Sequence, residues 1–383
     1  MKSMDIAKTK KADTLLGKLL FPFFSLSRKR PLDRNPKTIL LIQLWGIGET
    51  ILVLPALKAL RALFPNASIS MLCTDRNKEV FFQNPSLNNI LVIEPSLGGV
   101  VRFLRKQRRS YDLAIDFEEY LNIATLIAFI AGKSSLGFAT HRRGRLYDKA
   151  IPYDAEQHCA ETFLDLVRTF HRIPKIRELE RLKYSPKDTE QAEEMIDRHR
   201  LTGKRIIVLA PSVAESSKSR MWPKGRFQKL TERLLGLKRY PVVFIGGPDD
   251  KEAVAAIAGP FGNRVVDLSG SMDLRTLFAF VERSSLMISN DSGPMHIAAA
   301  QGIPTIGLFG PNTPVRFRPM GNNKVMFYRP ESCGFSPCIN VHEGKVPDCL
   351  FAKNIPDYQK CMKAISVDEV FRAAEQLLRK KNS

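Results

Sequence analysis

A chain of 383 residues, 44% hydrophobic and 26% charged, has the length of about two or three domains and is too apolar to be disordered. Its 59 Lys and Arg outnumber 39 Asp and Glu, and the net charge of +20 favours anionic partners such as nucleic acid, acidic lipid or phosphorylated small molecules. Six cysteines are too few for a disulfide scaffold, and we read neither a secretory signal nor a membrane span. A cytoplasmic protein is expected.

Residues 1–37 form a basic, amphipathic extension in which cations flank the apolar block LLFPFF. These cations are Lys8, Lys10, Lys11, Lys18, Arg28, Lys29 and Arg30. Apolar surface beside several cations holds a helix in the plane of an anionic membrane. The sequence therefore predicts peripheral attachment to the inner face of the cytoplasmic membrane, with a disordered tail as the alternative because Pro22 interrupts the helical pattern.

Two series of short apolar runs follow the extension. The first series is 38–44, 67–73, 89–94 and 112–117, and the second is 205–211, 240–247, 264–270, 285–290 and 304–310. Runs of this kind, separated by helix-length stretches, indicate parallel strands covered by helices on both faces. We therefore predict two doubly wound α/β domains with a cleft between them.

The domain boundaries follow from this pattern. The first domain is predicted over 38–180 and the second over 205–366, with a linker at 181–204. The many charges of 175–204 suggest a solvated helix together with this linker. Residues 367–383 have helical apolar spacing. We expect this C-terminal helix to pack back on the domains.

The first predicted strand leads directly into WGIGET, which places Gly46 and Gly48 at its carboxyl end. Ligands of α/β proteins bind at this end. A dinucleotide fingerprint needs a third glycine where Ile51 stands, so a nicotinamide or flavin oxidoreductase is only an alternative. Glu49 is a candidate general base, or else an acid favoured by the helix dipole.

SNDSGPMHIAAAQGIP, from Ser289, also reads as a strand followed by a helix. Asp291 or Ser292 caps the helix, Gly293 lets the backbone approach a ligand, and His296 lies one turn inside. Amides at such a helix start favour a phosphate or diphosphate. We therefore expect an anion site here.

Further polar residues follow other strands of the second series. Ser212 and Arg220 suit an anionic ligand, although a hydrophilic loop explains them equally well. Asp250 and Glu252 either accept hydrogen bonds from ribose hydroxyls or are ordinary acids at a helix start.

Two basic clusters in the first domain, 102–109 and 141–145, are either solvated faces or contacts for an acidic acceptor. The last four cysteines, Cys333, Cys338, Cys349 and Cys361, lack the tight C-x-x-C pair of a zinc site. No metal site is therefore predicted.

Four segments together resemble the family of ADP-heptose:lipopolysaccharide heptosyltransferases, glycosyltransferase family 9. They are GIGETILVLPALKALRALFP, RMWP, NDSGPMHIAAAQGIPTIGLFGP and CMKAISVDEV, and the resemblance covers roughly residues 38–378. It implies the GT-B fold, in which two Rossmann-like domains face each other across a cleft. The first domain binds the acceptor and the second binds the nucleotide-sugar, with inversion at the anomeric carbon and without a metal or other cofactor.

The resemblance also implies roles for individual residues. Glu49 stands where the family usually has the aspartate proposed as the base, and Arg220 stands at a usual lysine that neutralises the leaving diphosphate. The donor-binding residues would be Ser212, Arg220, Asp250, Glu252, Asp291, Ser292, Gly293 and His296, and the acceptor-binding residues Gly46, Gly48, Arg142 and Arg143. Whether Asp250 or Glu252 is the nucleoside-binding acid stays open.

The implied reaction is transfer of heptose from ADP-heptose to the inner core of lipopolysaccharide, at an anionic membrane surface. A basic nucleic-acid-binding protein is a further alternative, but we find no RRM or helix-turn-helix pattern. No nucleic-acid partner is therefore expected.

Overall fold

The computed structural model describes Asp13 and residues 29–94, 96–213, 215–340 and 348–380. These residues divide into two compact units, one ending at Ile176 and the other beginning at Arg177. Each unit contains its own β-sheet.

The first unit alternates strands and helices. In chain order they are β1 (Thr38–Ile42), α1 (Ile47–Leu63), β2 (Ser68–Cys73), β3 (Asn89–Val92), α2 (Leu97–Gln107), β4 (Tyr111–Asp116), α3 (Asn122–Ala131), β5 (Gly132–Phe138), β6 (Lys149–Ile151) and α4 (Cys159–Arg168). The sheet order is β3-β2-β1-β4-β5-β6, and every neighbouring pair is parallel. This is the 3-2-1-4-5-6 order of a Rossmann fold.

The second unit repeats the plan. Its elements are α5 (Pro186–Arg198), β7 (Ile207–Ala210), α6 (Lys224–Gly236), β8 (Val242–Phe244), α7 (Lys251–Ala258), β9 (Val266–Asp267), α8 (Leu274–Glu282), β10 (Leu286–Asn290), α9 (Gly293–Ala300), β11 (Thr305–Leu308), α10 (Pro314–Phe317), β12 (Lys324–Phe327), α11 (Lys360–Lys363) and α12 (Val367–Lys380). The sheet order β12-β11-β10-β7-β8-β9 is again all parallel. Counted from β7, it is the same 3-2-1-4-5-6 arrangement.

The central strands are apolar along their whole length because helices cover both faces of each sheet. Residues 39–42 of β1 and 207–209 of β7 are fully buried. The predicted pair of doubly wound parallel sheets is therefore confirmed.

The stretch 181–204, expected to hold a solvated helix and linker, contains helix α5. Ser185 and Asp188 form a capping box around Pro186 at its start. The helix packs against α8 of the second unit, where Asp188 pairs with Arg275 at 3.3 Å and Gln191 accepts a hydrogen bond from Thr276 at 3.0 Å. In the structure this segment belongs to the second unit.

The C-terminal helix α12 is part of the core of the second unit. Its buried residues Val370, Ala374 and Leu377 join a cluster that includes Trp222 and Ile365. The indole of Trp222 donates to the carbonyl of Ile365 at 3.1 Å and fixes the approach to this helix.

Part of the basic extension is described, and it contacts the first unit. Arg30 forms an ion pair with Asp148 at 2.8 Å, the ammonium of Lys29 donates to the carbonyls of Arg145 and Tyr147, and Arg34 donates to the carbonyl of Thr169. The LLFPFF block and the remaining predicted membrane cations, from Lys8 to Arg28, lie outside the described residues.

A buried polar cluster crosses the first unit. The guanidinium of Arg143, 1% exposed, bonds to Asp116 at 2.7 Å and to the hydroxyl of Tyr147 at 2.5 Å. Tyr147 donates in turn to Asp116, and Thr125 lies 2.8 Å from the same hydroxyl. The cluster ties the end of β4 to the turn before β6.

We expect Asp116→Asn to destabilise the first unit by about 3–5 kcal/mol, because it leaves a buried guanidinium without its carboxylate partner. Asp75→Asn is the matched control, since its ion pair with Lys78 is exposed and contributes about 0–1 kcal/mol. The free energy of unfolding of the first unit is measured in urea by the fluorescence of Trp45. All proteins compared carry Trp222→Phe, which removes the other tryptophan of the chain. Equal destabilisation by the two variants would contradict the importance of the buried pair.

Candidate active site

In the first unit the candidate base lies at the turn between β1 and α1. Gly46 has φ +70°, and a Cβ built on it would lie 2.0 Å from Oε2 of Glu49 and 2.7 Å from its Cδ. The carboxyl group of Glu49 therefore folds back over Gly46, in the first turn of α1. Only glycine leaves room for this placement.

Glu118, two residues after β4, fastens the same turn. Its Oε1 accepts hydrogen bonds from the amides of Leu44 at 2.6 Å and Trp45 at 2.9 Å, and from the side-chain amide of Gln43 at 3.3 Å. Burial, and then the charge of Asp116, raise the pKa of Glu118 well above its usual value. This carboxyl group is a positioning element for the turn that holds Glu49.

A small pocket opens beside Glu49, with Trp45, Glu119 and Tyr120 in its wall. The hydroxyl of Tyr153 donates to Glu119 at 2.6 Å. Burial, and then the charges of Glu118, Glu49, Glu119 and Asp13, raise the pKa of Tyr120 well above its usual value. Sequence reasoning missed these residues, although two acids directly after the strand DLAIDF are a usable signal.

The other residues predicted to bind the acceptor occupy different environments. Gly48 is buried within the first turn of α1, whereas Arg142 is exposed in the short turn His141–Arg145. Arg143 lies in the interior, bonded to Asp116 as described above. Its guanidinium supports the core and does not reach solvent.

In the second unit the predicted anion site follows β10. Ser292 is the N-cap of α9, its side chain accepts no capping hydrogen bond from the first amides of the helix, and Gly293 is the first helical residue. His296, 3% exposed, lies in the first turn of the helix. The start of this eight-residue helix carries the positive end of its dipole.

Arg220 belongs to the same site. Its Nη1 lies 3.2 Å from Oδ2 of Asp291, and the amide of Asn312 donates to that oxygen at 2.8 Å. Asp291, 3% exposed, therefore orients a cation beside the start of α9. Within the described part of the chain, the buried Nε of Arg220 and the buried Oγ of Ser212 have no hydrogen-bond partner. Both are ready to bind an anion.

Asn290 joins the strands that bear these groups. Its Oδ1 accepts from the amide of Trp222 at 2.9 Å, and its Nδ2 donates to the carbonyl of Pro211 at 2.6 Å. The loop after β7 and the end of β10 are thereby held together. Asn290 and Asn312 were not singled out from the sequence, because their role depends on strands that are distant along the chain.

The two candidate acids after β8 differ. Asp250 accepts a hydrogen bond from the amide of Gly247 at 2.8 Å and so closes its own turn. Glu252 is exposed in the first turn of α7. Of the two, Glu252 is the more exposed.

The described residues include no group of three or more His, Cys, Asp or Glu side chains positioned to hold a metal ion. The six cysteines are free thiols. No described helix is both long and apolar enough to cross a bilayer.

The sequence is similar to those of known proteins. The family model "Glycosyltransferase family 9 (heptosyltransferase)" matches residues 100–343. Lipopolysaccharide heptosyltransferase 3 of Escherichia coli is 24% identical over 299 residues, covering 73% of this chain and 86% of that protein.

Two solved structures share the fold. The family 9 glycosyl transferase from Veillonella parvula DSM 2008 superposes with a TM-score of 0.76 at 23% identity, covering 92% of this chain and all of that one. The ADP-heptose lps heptosyltransferase II of E. coli gives 0.70 at 20% identity, covering 90% and 100%. The predicted fold class and the family resemblance are confirmed, since the family model spans more than half of the sequence. The chain belongs to glycosyltransferase family 9, the heptosyltransferase family.

Proposed function

We propose that this glycosyltransferase transfers heptose from ADP-heptose to the inner core of lipopolysaccharide, with inversion at the anomeric carbon. The observation that carries the proposal is the group at the end of β7 and β10. There an arginine held by Asp291, an unpaired serine hydroxyl and the start of α9 provide donors for a diphosphate. The identity of the sugar and of the acceptor is inferred from the named relatives.

The second unit would bind the donor. Arg220, Ser212 and the amide of Gly293 contact the diphosphate, and His296 donates to the same anion. Glu252 accepts from the ribose hydroxyls, because Asp250 already closes its own turn. These contacts strengthen as negative charge develops on the departing ADP.

The first unit would bind the acceptor. Glu49 takes the proton of the acceptor hydroxyl while the oxygen of that hydroxyl bonds to the anomeric carbon. At the same time the bond from that carbon to the diphosphate oxygen breaks, and ADP leaves with the electron pair. Gly46 and Glu118 position the base, which lies beside the small pocket lined by Trp45 and Tyr120.

The acceptor is an anionic glycolipid, so we also propose that the protein works as a peripheral protein on the inner face of the cytoplasmic membrane. No metal or other cofactor is needed in this proposal, because Arg220 and the start of α9 supply the positive potential.

The oxidoreductase alternative has little support, since Ile51, where a third glycine would stand, is fully buried within α1.

Glu49→Gln should reduce transfer by about 100-fold to 10,000-fold, because the amide keeps the shape of the side chain but takes no proton. ADP affinity, measured by calorimetry, should stay unchanged. Glu156→Gln, an exposed change in the same unit, is the control. Transfer is followed by mass spectrometry of truncated lipopolysaccharide acceptors incubated with ADP-heptose. Near-normal turnover by Glu49→Gln would remove this residue from the mechanism.

Arg220→Ala and His296→Ala should each weaken ADP binding by about 10-fold to 100-fold, the effect of losing one hydrogen bond to a charged group. Both should also slow transfer, since the same contacts act on the leaving group. The exposed Arg239→Ala in the same unit is the control. If calorimetry finds wild-type ADP affinity in both variants, the donor binds elsewhere.

Transfer should continue in excess EDTA, because the protein itself supplies the charges that stabilise the diphosphate. A magnesium-dependent kinase assayed in the same buffer shows that chelation is complete. Loss of transfer that magnesium restores would refute the metal-independent mechanism.

A further inference from the structure

Helix α2 in the first unit has one buried side and one basic side. Val100, 4% exposed, packs into the core together with Phe103 and Leu104. On the opposite side, Val101, Arg102, Arg105 and Lys106 line a shallow open depression. These positions recur at helical spacing, so their side chains form one stripe along the surface.

The stripe is basic, and its charges have no ion-pair partner among the described residues. The segment 102–109 contains five cations and no acid: Arg102, Arg105, Lys106, Arg108 and Arg109. None of the five forms an ion pair with a residue that the structure describes. Other exposed lysines of the unit do so, as Lys78 with Asp75 at 2.9 Å and Lys133 with Asp112 at 2.8 Å. The positive potential of this helix is therefore not neutralised by the described residues of its own domain.

The shape of the stripe favours an extended anionic surface over a small ligand. From Arg102 to Lys106 the charges spread over about 6 Å of the helix, at roughly 1.5 Å per residue, and Arg108 and Arg109 follow beyond its end. The depression that Arg102, Arg105 and Lys106 line is open, unlike an enclosed pocket for a single phosphate. Val101, 37% exposed, adds an apolar group between them. An anionic bilayer presents negative headgroups over such a distance and accepts a small apolar side chain.

The position of the helix suits this partner. α2 begins after the carboxyl end of β3, at the same edge of the parallel sheet as the turn that holds Glu49 after β1. Only β2 separates the two strands, so their ends are about 10 Å apart. A membrane at α2 would lie near the base that needs a lipid-linked acceptor.

Two cations predicted to bind the membrane from the extension have other partners. Arg30 pairs with Asp148, and Lys29 donates to backbone carbonyls of the first unit. These contacts remove charge from the extension but not from α2. The folded domain thus retains its own basic surface.

We propose that the outer face of α2, formed by Val101, Arg102, Arg105 and Lys106, docks the protein on an anionic lipid bilayer. The reason for docking rests on the proposed function, because the acceptor is membrane-linked, but the binding itself is independent of transfer. Vesicles without any acceptor therefore test it separately.

The test compares the full-length protein with the triple variant Arg102→Gln, Arg105→Gln, Lys106→Gln. Each cation near the surface contributes about 1 kcal/mol, so the partition coefficient should fall on the order of 100-fold for vesicles of equal parts phosphatidylglycerol and phosphatidylcholine at low salt. Wild-type protein should be released at high salt and should not bind pure phosphatidylcholine.

The matched control is Lys229→Gln, Lys238→Gln, Arg239→Gln, which removes three exposed cations from the second unit. It should sediment with the vesicles nearly as wild type does. Deletion of residues 1–28 is a further control that keeps Lys29 and Arg30 in place. This deletion should retain most of the binding.

Three results would overturn the proposal: no wild-type binding to anionic vesicles, equal losses in both triple variants, or loss of binding only on deletion of 1–28. The α2 variant should also keep transfer to a detergent-dispersed truncated acceptor. If that transfer is lost as well, the stripe contacts the acceptor and not the bilayer. Absence of transfer by the wild type would instead refute the proposed function, whatever the vesicles show.

Discussion

All the strand pairs in both sheets are parallel, and this constraint decides where the chemistry lies. Each chain segment must cross back to the same end of its sheet, so every strand-to-helix turn opens at one edge. In the order 3-2-1-4-5-6 the connections diverge between strands 1 and 4, and a crevice forms there. These strands are β1 and β4 in the first unit, and β7 and β10 in the second.

The corresponding crevices of the two units carry side chains of opposite charge. Beside β1 and β4 the crevice is rich in carboxyl groups, with Glu49 folded over Gly46 and Glu118 bonded to the turn. Beside β7 and β10 it holds a cation, a hydroxyl and a helix start. One surface suits the removal of a proton and the other suits the retention of an anion. The fold supplies the location, and the side chains after each strand supply the function.

Sequence patterns predicted the parallel sheets, the turn around Glu49 and the start of α9, because each depends on residues close together in the chain. The roles of Glu118 and Asn290 were not predicted, because these residues bond to loops more than 60 residues away in the sequence. Arg143 belongs to a run of exposed-looking basic residues, and its burial follows only from the position of Asp116 on a neighbouring strand. The charges of the stretch that holds α5 predicted a solvated helix, but not the packing of this helix against α8.

Gly46 has a consequence for how natural variants of this protein should be interpreted. A substitution there meets two obstacles, a left-handed backbone that costs an ordinary residue roughly 1–2 kcal/mol and a collision with the carboxyl group of Glu49. A strain with a changed codon 46 would still encode Glu49, yet the carboxyl group of Glu49 would be displaced. A genomic survey that inspects only the proposed base would therefore count such an allele as active. The residues at positions 46 and 49 need to be interpreted together when such variants are compared.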